Sequence, residues 1–488
     1  MILILSLWAV TRVPTSVAST RTTVVIEGME ALEADAAVAR MLHGGVVSQL
    51  QEMTALRVVA EADKEAVARE RGFVLRGNLL RMGEELQASV HLVDGESGTT
   101  LASTRLERPT AELPGGLDEM ARAVAQFARR EVGAALAARR LVEAPFPERA
   151  ITMVQLGRQD MALGASLWRD RSTEGAMAAY AKADSMFAEA ARLAPQWDLP
   201  WIDRAETAYR LMWIQRRSEA GSREAERDLV ARGIRFAGEA IARNGRQAES
   251  LELRALLYEW QWLLAQPDAS GGSAELLVRA EEDARRATEL DPHRARAWNV
   301  LGAAFLHRGA WADAYWALGR AVAADTHLKN DAEIVLRLFT AAWETGNDEG
   351  ARAWCDLLAE RSGQGWPAAS CRMHLMAGAT VPDLGRLAAI RSQAETWPYW
   401  SSVAHQFDAT RAVLLARAGE SARAREILAG LPANPASSEL PYLQAWAWLE
   451  LGEVELARAM LERHIATSPV TLSFLFRSRR FLKLRGSE

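Results

Sequence analysis

Cysteine, lysine and histidine are sparse in this chain, and Asp and Glu are abundant but lie at helix-surface spacing, which does not suit catalysis. The two cysteines, Cys355 and Cys371, lack the CxxC spacing of metal and redox sites. None of the four lysines stands beside a glycine-rich turn, which excludes a phosphate-binding loop. His405 and Asp408 lie one helical turn apart, and His374 lies near Cys371, but neither pair has a visible third partner. We therefore predict no catalytic residue, no metal site, no cofactor and no enzymatic activity.

The two cysteines do not identify the cellular compartment of the protein. At their spacing we expect two buried thiols, packed as small apolar side chains. A disulfide between Cys355 and Cys371 stays open at this stage, so cysteine use does not assign a redox environment.

Length and charge narrow the class of protein. A chain of 488 residues exceeds one ordinary globular core, which predicts two architectural regions. With 49% hydrophobic and 25% charged residues, the composition is that of a foldable chain and not of a disordered one. A net charge of −5 and a pI near 6.0 provide no basic patch, so nucleic acid is not an expected partner.

The first 20 residues form an apolar N-terminal segment. Met1–Val10 is too short to cross a bilayer, since a spanning helix needs about 20 residues. Ser16-Val17-Ala18 resembles a signal cleavage site, although no basic region precedes the apolar run. The segment is interpreted as a signal, the end of a truncated membrane span or an ordinary tail. We favour a membrane tether with an extracytoplasmic soluble portion over a cytoplasmic protein.

Residues 21–142 show the pattern of an α+β domain. A β-branched run at Thr22–Ile26 predicts a strand, and apolar residues at helical spacing predict a helix over 34–51. Further strands are expected at 56–60, 73–80, 86–93 and 99–106, the last three as a β-meander with turns at 82–84 and 94–95. Helices are expected over 64–71 and from 117 to about 139, the latter covering the sheet.

The meander resembles the TolB-N-terminal-like domain. The positions that match that family's pattern are Leu75, Gly77, Arg81, Gly83, Val90, Leu92, Val93, Asp94 and Gly98. The first strand departs from the family, because Val25-Ile26-Glu27-Gly28 lacks the usual Pro-Phe pair. The resemblance implies an accessory or sensory domain without catalytic residues of its own.

After a linker marked by Pro145 and Pro147, residues 149–488 repeat small and aromatic residues at fixed helical offsets. The best unit, 292–329, resembles a tetratricopeptide (TPR) repeat at Trp298, Leu301, Gly302, Phe305, Gly309, Ala314 and Ala321. Paired helices of this kind cannot bury their apolar faces alone, so the units must stack. We predict an all-α TPR superhelix of about seven or eight units, with a divergent unit near 366–395.

Peptide-binding residues are predicted at two places in this array. The first helices of TPR units line the concave face. In the best unit, the first helix provides polar side chains that could hydrogen-bond an extended peptide. An aromatic cluster beside Pro398 is either a peptide platform or packing between the divergent unit and its neighbour. The candidate peptide-binding residues are Arg296, Asn299, His307, Trp397, Tyr399 and Trp400.

The predicted function is non-enzymatic protein binding, as a scaffold or as a sensory and regulatory module. Residues 149–209 also resemble the segment that follows the TolB-like domain in bacterial adenylate cyclases, Ser/Thr kinases and CadC-type regulators. The alternative is therefore the non-catalytic C-terminal part of a membrane-bound kinase or cyclase signalling protein. A protein or peptide on the concave face is the expected partner, and the α+β domain is a candidate second interaction or homo-oligomerisation module.

Overall fold

The computed structural model divides the chain into two compact units, 1–144 and 145–488. It describes residues 22–32, 36–51, 56–60, 72–110, 115–142, 145–218, 221–265, 273–325, 328–329, 331–362, 365–432, 439–467, 478, 480–481 and 484. The predicted N-terminal segment and the predicted helix over 64–71 lie outside these ranges. None of the helices in the described ranges is long and apolar enough to span a bilayer.

The first unit is a five-stranded mixed sheet with the strand order β2-β1-β3-β4-β5. β1 lies parallel to β2 and to β3, whereas β3, β4 and β5 form an antiparallel meander. The elements of the unit are β1 (Thr22–Leu32), α1 (Ala36–Gln51), β2 (Leu56–Ala60), β3 (Phe73–Met82), β4 (Glu85–Asp94), β5 (Thr100–Pro109) and α2 (Gly115–Val142).

Alternation along the meander places one face of the sheet under the two helices. Leu86, Ala88, Val90 and Leu92 of β4 are buried with the apolar stripes of α1 and α2 in one core cluster. The predicted meander and covering helix are confirmed. β1 is longer than predicted because the strand continues to Leu32 beyond a register shift between Ile26 and Met29.

The second unit consists of helices that pair in chain order as eight antiparallel hairpins within the described ranges. The first four hairpins are α3 (Glu148–Arg169) with α4 (Thr173–Leu193), α5 (Leu199–Arg217) with α6 (Arg223–Arg243), α7 (Ala248–Ala265) with α8 (Ser273–Leu290), and α9 (Ala295–His307) with α10 (Trp311–Ala324). The last four are α11 (Ala332–Thr345) with α12 (Asp348–Ser362), α13 (Trp366–Gly378) with α14 (Leu384–Ala394), α15 (Trp400–Arg417) with α16 (Ser421–Ala429), and α17 (Glu439–Glu450) with α18 (Val454–Thr467).

Small residues bring the helices of a hairpin together, as the repeat pattern predicts. A Cβ at Gly302 would lie 2.6 Å from Leu318 Cγ, so only glycine lets α9 approach α10 this closely. Ala314 and Ala321 on α10 are fully buried, and Gly309 takes φ +68° in the turn between the two helices. The expected fold class, a small α+β domain followed by a stacked TPR-type helical array, is confirmed.

The expectation of two buried thiols is wrong. Cys355 on α12 and Cys371 on α13 are both buried and form a disulfide, with their Cα atoms 5.7 Å apart. The two residues lie 16 positions apart on successive hairpins. Sequence spacing could not show that the hairpin stacking brings these two helix faces together.

Candidate peptide-binding face

α11 shows how the chain positions polar side chains on the face formed by the first helices of the hairpins. The Asp331 carboxylate accepts a hydrogen bond from the Glu333 N–H and begins the helix, and Gly346 at φ +80° ends it. Arg337 and Glu344 are seven residues apart and therefore share one stripe of the helix. Arg337 points towards α7 and α9, which are also first helices of their hairpins. The surface formed by the first helices of the hairpins, to which this stripe belongs, is called the first-helix face.

The first-helix face of the N-terminal hairpins is crossed by ion pairs that connect different repeats. Arg158 on α3 contacts Asp203 on α5 at 2.9 Å. Arg296 on α9 contacts Glu252 on α7 at 2.9 Å and Glu206 on α5 at 3.0 Å. These charged side chains therefore tie each first helix to first helices one or two hairpins away.

Burial and pairing shift the pKa values of the acids on this face in different directions. Burial raises the pKa of Asp203 to about 6, although Arg158 opposes the rise. Burial would also raise the pKa of Glu206, but Arg296 and Arg210 hold it below its ordinary value. The pKa of Glu259 on α7 is raised because burial outweighs the attraction of Arg337.

Three of the predicted peptide-binding residues lie on α9 and already have partners within the array. The Arg296 side chain is engaged by Glu206 and Glu252, and Asn299 Oδ1 accepts a hydrogen bond from Arg337 at 3.2 Å. The His307 ring lies 4.2 Å from the Trp262 ring, centroid to centroid. Burial, with Arg337 nearby, lowers the pKa of His307 to about 3 and keeps the imidazole neutral. A peptide-binding role for these residues remains a prediction.

The other three predicted residues lie where α14 meets α15. Trp397 and Trp400 pack against the buried cluster of α13, α14 and α15, and Trp400 also contacts Phe407 and Arg391. The Tyr399 side chain is 44% exposed and lies 5.5 Å from Trp397, centroid to centroid. The two tryptophans thus fill the junction between the divergent hairpin and its neighbour. Tyr399 presents its ring to solvent, and its role in binding remains a prediction.

A second part of the first-helix face, which we call the aromatic cleft, was not anticipated from the sequence. Trp343 on α11 and Trp446 on α17 come within 6.3 Å, centroid to centroid, although two complete hairpins lie between theirs in the chain. His374 on α13 contacts Trp343 and Tyr442. The aromatic cleft consists of Phe339, Trp343, Glu344, His374, Tyr442 and Trp446.

The chain's own C-terminal residues lie in the aromatic cleft. The Arg480 guanidinium lies over the Trp343 and Trp446 rings at 4.5 and 4.8 Å from their centroids. Phe481 is fully buried and packs edge-on against Tyr442 at 5.2 Å. Ser478 donates a hydrogen bond to the Glu344 carboxylate at 3.1 Å. The cleft therefore holds a short peptide segment through a cation–π contact, an aromatic contact and a hydrogen bond.

Glu344 and Tyr442 form the polar floor of this cleft. The Tyr442 hydroxyl donates to Glu344 Oε1 at 3.3 Å, and both side chains are buried. Burial, reinforced by the charge of Glu344, raises the pKa of Tyr442, so its hydroxyl stays protonated and remains a donor. A carboxylate that accepts from a tyrosine and a serine is suited to hydroxyl donors and disfavours an anionic group.

Stacked helical hairpins with a shared first-helix face give the helical unit a tetratricopeptide-repeat architecture. No family model matches the chain. No curated protein matches it. Among solved structures it is similar to a thermophilic TPR protein of Thermus thermophilus, at 17% identity over 45% of this chain and 96% of that one, TM-score 0.32. It is also similar to PilF of Pseudomonas aeruginosa, at 17% identity over 50% of this chain and 92% of that one, TM-score 0.35. A further similar structure is yeast Tom70, at 10% identity over 68% of this chain and 96% of that one, TM-score 0.28.

Proposed function

We propose that this protein binds a segment of another protein on the first-helix face of its helical array and acts as a non-enzymatic scaffold. One observation carries the proposal: side chains from two hairpins that are distant in the chain, on α11 and α17, converge on a short peptide segment in the aromatic cleft. A surface that is assembled from several stacked repeats suits recognition of a chain segment.

We infer further that this scaffold has a sensory or regulatory role. In this proposal the α+β unit, with its TolB-like meander, is a second interaction or oligomerisation module. The Cys355–Cys371 disulfide supports an oxidising environment, as expected for the extracytoplasmic part of a membrane-tethered protein.

The test is site-specific photo-crosslinking in the full chain, in the cells that produce it. Arg210 lies on α5 beside Glu206 on the first-helix face, and its side chain is 49% exposed. Arg192 lies on the second helix α4, is 68% exposed and serves as the matched control. Each arginine is replaced by a photo-reactive phenylalanine analogue in a separate variant.

The proposal predicts a discrete protein adduct from position 210 and none from position 192. Equal labelling from both positions would indicate contact without a preferred face. Failure of position 210 to label any protein would also count against the proposal.

A further inference from the structure

We propose that the aromatic cleft is a peptide-binding site for a serine, a spaced arginine and a following aromatic residue, and that the chain's own C-terminal residues are its resident competitor. This inference rests on the proposed function and adds the chemistry of the ligand. Here the occupant is Ser478, Arg480, Phe481 and Leu484, with the pattern Ser-x-Arg-aromatic-x-x-aliphatic.

Each element of the pattern follows from one contact. The two indoles of Trp343 and Trp446 select a planar cation, which favours arginine over an uncharged residue. The fully buried Phe481 has an edge-on contact with Tyr442, which favours an aromatic ring at the next position. Leu484 is 1% exposed within the core cluster of these hairpins, so an aliphatic residue three positions further fits the same cleft.

The serine position restricts the choice of residue in a bound peptide most strongly. Ser478 is 1% exposed, and its hydroxyl donates to Glu344 while lying 3.4 Å from the Tyr442 hydroxyl. A buried carboxylate accepts a neutral hydroxyl but repels a negative charge at the same place. An acidic or phosphorylated residue in place of Ser478 is therefore incompatible with occupancy.

Gly378 leaves room for the arginine beside Trp343. A Cβ at Gly378, the last residue of α13, would lie 2.7 Å from Arg480 Nη2 and 2.2 Å from Trp343 Cη2. Glycine at this position leaves room for both the indole and the guanidinium. Three helices thus contribute to one arginine subsite, which is more specific than a surface contact to a single side chain.

Occupancy by the chain itself has a consequence for binding. A covalently attached occupant is present at a high effective concentration, so an external segment of the same chemistry binds only when it displaces Ser478, Arg480, Phe481 and Leu484. The C-terminal residues then act as an autoinhibitory segment, and the partner of the cleft is a protein that carries the same short pattern.

The test measures binding of a fluorescent peptide with the sequence of residues 476–488 to two forms of the full chain. One form is the wild type, and the other carries Ser478→Asp, which places a carboxylate against Glu344 and expels the attached segment. We expect at least tenfold tighter peptide binding to the Ser478→Asp chain than to the wild type. Equal affinity for the two forms would overturn the proposal.

Two peptide variants provide the chemical control. Arg480→Ala and Arg479→Ala remove the same charge from the peptide, and Arg480 contacts the two indoles. We expect Arg480→Ala to weaken binding at least tenfold and Arg479→Ala to weaken it much less. Equal losses would mean that the peptide binds through its net positive charge and would refute the assigned subsite.

A second measurement covers the case in which Ser478→Asp unfolds the chain. A protease site is placed between residues 468 and 477 of the full chain, which is then cleaved after folding. The proposal predicts that labelled peptide replaces the severed segment while the remaining chain keeps its thermal transition. Loss of that transition on release would show that the segment belongs to the core, and the proposal would fail.

These outcomes separate the two proposals. Specific crosslinking at position 210 without peptide exchange would end the inference about the cleft and leave the scaffold function standing. Peptide exchange without crosslinking at position 210 would restrict binding to the cleft and contradict the wider first-helix face.

Discussion

Nη2 of Arg337 on α11 lies 2.9 Å from Oε1 of Glu259 on α7, two hairpins earlier in the array. The Glu259 side chain is 4% exposed and that of Arg337 is 16% exposed. The contact therefore joins first helices that belong to different repeats, through two charged side chains that are largely shielded from solvent.

Replacing Arg337 with methionine should destabilise the array by about 3 kcal/mol at pH 7, because Glu259 would stay buried without its cation. Adding Glu259→Gln should recover a large part of that loss. Urea unfolding of the two single variants and the double variant measures this coupling.

The matched control is Arg279→Met. Arg279 pairs with Glu275 one turn away on α8, and both side chains are at least half exposed. This change should cost at most about 0.5 kcal/mol. Equal effects of the Arg337 and Arg279 substitutions would contradict the importance of the buried pair.

His307 should make stability fall as the solution becomes acidic. Its pKa is lowered from 6.5 to about 3 in the fold, so below pH 6.5 the unfolded chain binds a proton that the folded chain does not. Stability contributed by the neutral imidazole is thus present above pH 6.5 and is lost towards pH 3. Relative to His307→Phe, the wild type should lose roughly 2 kcal/mol between pH 7 and pH 5. Parallel pH profiles of the two proteins in urea unfolding would refute this.

Asp203 should show the opposite sign. Its pKa is raised from 3.8 to about 6, so the folded chain holds the proton between these values and this group stabilises the fold as pH falls through 6. Asp203→Asn removes that contribution. The free energy of unfolding of the variant, measured at pH 4.5 and 7, should therefore drop more steeply on acidification than that of the wild type. A shallower drop in the variant would contradict the assignment.

The disulfide should contribute about 3 kcal/mol to stability, as expected for a cross-link that closes a loop of this length. The sequence separation of its cysteines is 16 residues. Reductant should lower the free energy of unfolding of the wild type and leave the Cys355→Ala/Cys371→Ala variant unchanged. A thiol assay on the unfolded, unreduced protein should detect no free thiol, and a signal for two thiols would disprove the bond.

Gly378→Ala should destabilise the protein by roughly 1–3 kcal/mol, because the new methyl group would overlap Trp343 and Arg480. Gly319→Ala on α10 is the matched control. Apart from the neighbouring backbone of its own helix, no atom lies within 4 Å of a Cβ at that position, so alanine should stabilise the helix by up to about 1 kcal/mol. Thermal unfolding of the two variants should move in opposite directions, and shifts of the same sign would count against the close packing at Gly378.

Local patterns predicted the elements of this protein well. Alternation from Leu86 to Leu92 set the face of β4, and the spacing from Trp298 to Ala321 identified a helical hairpin. These signals arise within a few residues of one another, where helix and strand periodicity act directly.

The aromatic cleft could not be predicted in the same way. Glu344 and Ser478 are 134 residues apart, and no local period relates them. Arg296 and Asn299 lie on a first helix, as the repeat pattern predicts, but their ion-pair and hydrogen-bond partners depend on how α5, α7 and α11 stack. A signal in the sequence is the basic, aromatic composition of residues 476–485, which follow α18.

In the proposed function, the first-helix face receives a segment of another protein. Hydrogen exchange of the full chain should be compared with and without the protein captured by crosslinking at position 210. We expect slower exchange in α5, α7, α9 and α11 on binding, with little change in α6, α8 and α10. Protection confined to those second helices, or to residues 22–142, would contradict it.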